Sequence, residues 1–321
     1  MQSLKDPSID LDWQSGVIDG ANWRERAGLA LLRLAAVATR SPERPGFSKL
    51  AAGISALFPS EKFVRVHFAD DTVYQFPYGD AYWSVLCAPG FRYEPEIDGF
   101  VRRCAQENIS YVFLDCGANY GYWSCRTSAR EAGGQRAIAI EASSESYGHA
   151  MRNRALNDNR FDAHHRAISR ENDLTVQLFG DHKHEQRSLM PSSAGDSATE
   201  SVRSINLDHL QGIDFKSEKT VLKLDLEGME VAALEGGNNW LDGETLVIFE
   251  DHGSDRQHQT ARAMRELFGL RIFAGSTSGE FTEILDLSQL DKLKKVRRKG
   301  YDFFASASPF WIEFMAGRRS G

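Results

Sequence analysis

Residues 111–124 read YVFLDCGANYGYWS: an apolar run closes on a carboxylate, Asp115, and opens into a loop with two glycines. Asp115, Gly117, Asn119 and Gly121 stand at every second position. Small or left-handed-tolerant residues let backbone N–H groups at a helix start approach a ligand closely, and an acid beside them favours a positive group. A dinucleotide fingerprint, G-x-G-x-x-G, would need glycine where Asn119 and Tyr122 stand. Asp115 would also repel a pyrophosphate. The spacing matches instead the D-x-G-x-G-x-G loop of S-adenosylmethionine sites with Asn119 in the middle slot, and asparagine tolerates positive φ well. That cofactor brings an ammonium, a sulfonium and a carboxylate but no phosphate. Glu141, 26 residues after Asp115, ends the next strand, where an acid can accept from ribose hydroxyls. The predicted cofactor-binding residues are Asp115, Gly117, Ala118, Asn119, Tyr120, Gly121, Glu141 and Ala142.

A second acidic stretch, KLDLEGME, places Lys223, Asp225 and Glu227 on one face of an expected strand. Charge on a central parallel strand is tolerated at its carboxyl end, where ligands bind in open α/β sheets. The following strand ends in FEDHG, with Glu250, Asp251 and His252. Transfer of a methyl group to a hydroxyl needs the oxygen aligned and its proton accepted. The candidate catalytic residues are Asp225, Glu227, Glu250 and His252. Lys223 is expected to pair with one of these carboxylates, and Glu230 to charge the next helix start. A Mg²⁺ site at Asp225, Glu250 and Asp251 is chemically conceivable, but no metal is expected. The histidines of HHR (His164, His165) and of DHKHE, 181–185, are of the type that binds transition metals, but the second stretch lies in a polar loop and reads as solvated surface. Six basic residues in eight positions, from Lys292 to Lys299, read as a solvated face or as an anchor for an anionic acceptor.

These residues need a strand–helix alternation to position them. From 111 onward the sequence predicts strands at YVFLD, QRAIAIE, FDAHHRAIS, LTVQLF, TVLKLDLE, TLVIFE and GLRIFAG. Helices fall between them at 120–132, 145–157, 230–237 and 256–268, and the chain closes on YDFFASAS and FWIEFMA. The class is α/β, a Rossmann-like, doubly wound, mostly parallel sheet. Residues 1–92 are expected to form an extension and 93–321 the main domain. In the extension 1–20 read as weakly ordered, 22–40 and 48–58 as helices, and 63–76 as a β-hairpin. Residues 180–204 are polar and serine-rich and read as a loop.

The chain has 321 residues, 41% hydrophobic and 26% charged, and a net charge of −7, which argues against general nucleic-acid binding. The polar start and the short apolar run 27–38 predict neither a secretory signal nor a membrane span. Four cysteines without CxxC pairing read as reduced thiols in a cytoplasmic protein.

The stretches FLDCGANYGYWS, AIAIEAS, SINLDHL, LKLDLEGMEVAALEGG and LVIFEDH together resemble the FkbM family of S-adenosylmethionine-dependent methyltransferases. Glu141-Ala142 stands where that family usually has Glu-Pro, and the match spans roughly residues 90–255 in order. The resemblance implies O-methylation of a sugar, polysaccharide or natural product. Two alternatives stay open: an RNA methyltransferase, for which only the basic run speaks, and a module that binds the cofactor without transfer.

Overall fold

The computed structural model describes residues 7–39, 46–179, 198–214, 216–297 and 299–317. They fall into two compact units, 1–93 with 155–158 and 94–154 with 159–321.

In the first unit, period two sets the sheet. Ile9 and Leu11 are buried in Ser8–Asp12 (β1), which pairs antiparallel with Ile18–Asp19 (β2) and parallel with Phe63–His67 (β3). β3 forms a hairpin with Val73–Pro77 (β4). The expectation of weak order before residue 20 is therefore corrected from position 7 on. A five-residue alternation is a faint local signal, and β1 owes its order to a partner far along the chain. Trp23–Ala38 (α1) begins at a capping box. Asn22 accepts from the backbone of Arg24 and Glu25, while the Glu25 carboxylate accepts from Asn22 N. Phe47–Leu57 (α2) follows; residues 40–45, between the two helices, lie outside the described residues.

The second unit opens with Pro95–Gln106 (α3), Val112–Cys116 (β5), Tyr122–Thr127 (α4), Arg136–Glu141 (β6), Ser144–Leu156 (α5) and Phe161–His165 (β7). Ala167–Ile168 (β8), Thr175–Phe179 (β9) and Ala198–Ile205 (β10) form a small sheet in the order β8-β10-β9. Then come Thr220–Leu224 (β11), Glu230–Glu235 (α6), Thr245–His252 (β12), Gln259–Glu266 (α7), Arg271–Gly275 (β13), Phe281–Glu283 (β14), Gln289–Leu293 (α8), Gly300–Ser306 (β15) and Pro309–Met315 (α9). Three expectations change. FDAHHRAIS splits into β7 and β8. The 120–132 helix is α4 followed by a short 3-10 turn at Arg130–Ala132. Of the expected 180–204 loop, 198–204 belong to β10, and 180–197 lie outside the described residues.

The main sheet runs β14-β13-β15-β12-β11-β5-β6-β7. β12, β11, β5, β6 and β7 are mutually parallel, and β15 enters antiparallel between β12 and β13. This is the Rossmann-like, doubly wound, mostly parallel arrangement expected. On one face Leu114, Ile140, Leu222, Val247 and Phe249 pack against Leu234 of α6 and Met264 of α7. On the other, Phe100 of α3 meets Phe304 of β15 at 5.6 Å and Trp311 of α9 at 5.9 Å. FWIEFMA is helical because Ser308 caps it, accepting from Trp311 N, and Pro309 occupies the first turn. The strand order reverses at β5, which places the ligand crevice of an open α/β sheet at its carboxyl end.

Candidate functional site

At the end of β5 the Asp115 side chain is buried. Its Oδ2 accepts from Ser124 N at 3.0 Å and Ser124 Oγ at 2.8 Å. Its Oδ1 is also buried and has no hydrogen-bond partner among the described residues. Burial pushes its carboxyl up, while Lys223 and the Ser124 bonds oppose that shift. An acid fixed on one oxygen and unsatisfied on the other suits a cationic group, as the ammonium of S-adenosylmethionine would provide.

The loop holds the conformation its residues allow. Gly117, Asn119 and Gly121 have φ of +80°, +51° and +77°. Gly117 N and Ala118 N donate to Ile140 O at 2.9 and 3.1 Å. Tyr120, expected among the cofactor-binding residues, is instead turned inward: its ring stacks on His149 at 4.2 Å, its N–H donates to Asn119 Oδ1 at 2.8 Å and its carbonyl accepts from Asn153 Nδ2 at 2.9 Å. Glu141, half-buried, accepts from Asn119 N at 2.8 Å and Ser143 N at 2.7 Å. Burial raises it to about 7 against those bonds. It thus braces the loop and keeps lone pairs for further hydroxyl donors. Ala142 O accepts from His165 Nε2 at 2.9 Å, assigning that histidine a structural contact.

A Cβ at Gly117 would stand 1.9 Å from Asp225 O. Combined with its left-handed φ, Gly117→Ala should destabilise the fold by about 2–4 kcal/mol. Urea unfolding measures it, and a loss below about 0.5 kcal/mol would contradict this packing.

β11 ends at Leu224, which corrects the expected strand through Glu227. Asp225 N donates to Cys116 O at 3.1 Å, and the chain turns at Glu227 (φ +49°) and Gly228 (φ +97°). Buried Glu230 fixes this turn, its Oε1 accepting from Leu226 N at 3.0 Å and Gly228 N at 3.2 Å. A turn held by a side chain, rather than a strand, brings the carboxylates together.

Lys223 lies beside Asp115 in the sheet register, and its Nζ donates to Asp225 Oδ2 at 2.9 Å. Burial alone would lower its ammonium. The charges of Asp225, Glu94, Asp115 and Asp302 outweigh burial and hold it well above the usual lysine value. Glu250 pairs with Asp302 across β12 and β15. Burial first, then Asp225 and Asp302, push Glu250 well above the ordinary carboxylate range. Burial and then Glu94 do the same to Asp302. Glu227 is raised to about 7 by burial, Asp225 and Glu230, although solvent on its 39% exposed side chain moderates this. His252 Nε2 lies 3.3 Å from Glu250 Oε2 and 3.8 Å from Glu227 Oε2, at the solvent edge.

Asp225 therefore stands at Lys223 and beside Gly117 of the loop, and Glu227, Glu250 and His252 group with one another and with Asp225. Two further acids went unseen in the sequence. Asp302 sits among the aromatics of β15. Glu94, before Pro95, has φ +39° and accepts from Trp123 Nε1 at 2.5 Å. A lone acid in YDFFAS was the available signal.

Asp251 is not part of the group. It points to the other face, where Lys294 Nζ donates to its Oδ1 at 2.6 Å with both side chains essentially inaccessible. Lys294 is thereby also removed from the 292–299 basic run as an anchor for anions. Among the described residues no three His, Cys, Asp or Glu side chains are grouped to hold a metal ion. The 181–185 DHKHE stretch lies outside those residues. The four cysteines are free and buried. No helix among the described residues is long and apolar enough to cross a membrane.

Residues 115–303, more than half of the chain, match the family described as methyltransferase FkbM domain. No curated protein matches. Among solved structures the chain is similar to methyltransferase FkbM from Methylobacillus flagellatus KT, at 15% identity and a TM-score of 0.39, over 61% of this chain and 43% of that one. It thus spans under half the length of that protein. It is also similar to an O-methyltransferase from Bacillus cereus in complex with SAH, at 14% identity and TM-score 0.36, over 68% and 82% of the two chains. A third is the ribosomal protein L11 methylase from Lactobacillus delbrueckii subsp. bulgaricus, at 14% identity and TM-score 0.36, over 67% and 82%.

Proposed function

The chain belongs to the FkbM-domain methyltransferases, with S-adenosylmethionine as cofactor, and from that premise we propose that it methylates a hydroxyl oxygen of a carbohydrate or other hydroxylated small molecule. The observation that carries this reading is the grouping of Glu227, Glu250 and His252 with Asp225, which itself stands beside the glycine loop.

When bound, S-adenosylmethionine supplies an electrophilic methyl on a sulfonium. Asp115 and carbonyls of the glycine loop, whose N–H groups are spent on internal bonds, would hold it, with Glu141 at the ribose hydroxyls. Asp225, fixed by Lys223, is a ready acceptor for a hydroxyl hydrogen and aligns the attacking oxygen. Assigning the His252 proton to Nε2, toward Glu250 and Glu227, leaves Nδ1 as proton acceptor. Glu227, raised only to about 7, in its ionised form stabilises the imidazolium. Carboxylates also suit a sugar, whose hydroxyls donate to them. An acidic cleft disfavours an anionic group at the reacting centre, so any anionic part of the acceptor belongs elsewhere on the protein.

The test is S-adenosylhomocysteine release over a panel of sugars, polyols, amines and tRNA. Wild type should turn over with hydroxylated acceptors. Because His252 is exposed, His252→Ala should fold normally while kcat falls about 10²-fold or more. A change under about threefold would remove His252 from the chemistry. Turnover with tRNA alone would favour the RNA reading, and cofactor binding without any turnover the binding module.

A further inference from the structure

A cavity of about 460 Å³ opens on the α7 side of the sheet, away from the face that carries Asp115, Lys223 and Glu250. It shares no residue with the site described above. Three guanidinium groups line it: Arg256 from the loop after β12, and Arg262 and Arg265 from one face of α7. Asp286 and Ser288, on the connection into α8, and Asp291, within α8, also line it.

The bonds around the cavity hold these groups in place, each guanidinium with a carboxylate nearby: Asp291 for Arg256, Glu266 for Arg262 and Asp286 for Arg265. Arg265 donates to the carbonyls of Ile284 and Leu285. Arg256 donates to Lys294 O at 2.9 Å. Arg262 pairs with Glu266 at 3.0 Å, with half its side chain exposed. Of the two wall carboxylates, Asp286 accepts from Ser288 N at 2.8 Å. Asp291 stands 3.8 Å from Arg256 and 3.4 Å from His258 Nε2.

His258 is the second observation. It is 4% exposed, and its Nδ1 lies 3.1 Å from Lys294 Nζ. An ammonium offers only donors, so Nδ1 must accept and Nε2 must carry the proton. That Nε2 is buried without a hydrogen-bond partner, behind the half-exposed Asp291 side chain at the cavity wall. A buried N–H left unsatisfied beside three guanidiniums points to an acceptor-rich ligand.

We propose that this cavity binds a phosphorylated small molecule by its phosphate group. Three guanidinium forks arriving from a loop and two helix turns suit a tetrahedral anion with three or more acceptor oxygens better than a planar carboxylate. The volume is in the range of small-molecule sites, so the body of the ligand is accommodated with its phosphate.

Calorimetric titration of the full chain with inorganic phosphate, pyrophosphate, glucose 1-phosphate and glucose tests this. The phosphate-bearing probes should bind and glucose should not. Arg262→Glu should weaken binding at least about tenfold. Ser288→Glu, which leaves every arginine in place, should do the same by putting a negative charge at the wall. Lys295→Glu, exposed and outside the cavity, should leave affinity unchanged, and S-adenosylmethionine affinity should be the same in all variants. Equal affinity for phosphate and glucose 1-phosphate makes the free anion the ligand; tighter binding of the ester makes it the phosphorylated sugar class. The proposal is overturned if no phosphate-bearing probe binds folded wild type, if Arg262→Glu and Ser288→Glu bind as wild type does, or if Lys295→Glu alone abolishes binding.

Discussion

Exchanging Lys223 for methionine should cost about 3–5 kcal/mol of folding stability at about pH 8, because it leaves buried carboxylates without their counter-charge. Lys223 is 4% exposed and is the cation shared by Asp225, Glu94, Asp115 and Asp302. Its ammonium is raised in the fold, so its contribution is present at every pH below the lysine range. The pH dependence comes from the acids. Asp115, Glu250 and Asp302 all have folded values above their ordinary ones, and Glu141 reaches about 7. A raised acid is most favourable to the fold while protonated. Its contribution is therefore lost as pH rises from its unfolded value, about 4, through its folded one. Wild type should accordingly be more stable at about pH 5.5 than at about pH 8. The variant should show the same sign with a steeper slope, since nothing then offsets the ionised cluster. Guanidinium unfolding at the two pH values reads both effects. A loss below about 1 kcal/mol at the higher pH would mean that Lys223 does not hold the cluster together.

Asp115→Asn should weaken S-adenosylmethionine binding by at least about 30-fold, corresponding to loss of one buried charged contact at 2 kcal/mol or more. The basis is the asymmetry of the side chain, with Oδ2 held twice by Ser124 and Oδ1 buried and unpaired. Asparagine keeps the shape and one acceptor but removes the charge that an ammonium would meet. Circular dichroism should show an intact fold, and S-adenosylhomocysteine, which carries the same ammonium, should weaken in parallel. If both ligands bind the variant as tightly as wild type, Asp115 serves only to brace Ser124.

The glycine loop was legible because its requirement is local. Gly117, Asn119 and Gly121 each adopt the left-handed backbone their types allow, and Asp115 and Glu141 stand where their strands end. The acidic turn after β11 was legible in composition but not in form. KLDLE reads as a strand by period two, and only the Glu230 carboxylate bonding back to Leu226 and Gly228, with Asp225 N reaching Cys116 O, ends it at Leu224. Asp302 and Glu94 join the cluster through cross-strand register and a residue with positive φ, neither of which has a short-range signature. The basic run from Lys292 misled in part. Charge density says nothing about which residue turns inward, and Lys294 does so because Asp251, 43 positions away, offers it a buried partner.

The most direct measurement is to incubate the protein with S-adenosylmethionine carrying a ¹³C-labelled methyl and the sugar or polyol acceptor that gives turnover, and to locate the label by NMR. The label should appear as a new methoxy carbon on the acceptor, with S-adenosylhomocysteine formed in equal amount and both signals strongly reduced in Asp115→Asn at a cofactor concentration near the wild-type Kd. A label found on nitrogen or carbon, or no transfer to any hydroxylated acceptor by protein that binds the cofactor, would contradict hydroxyl methylation at the Lys223-centred site.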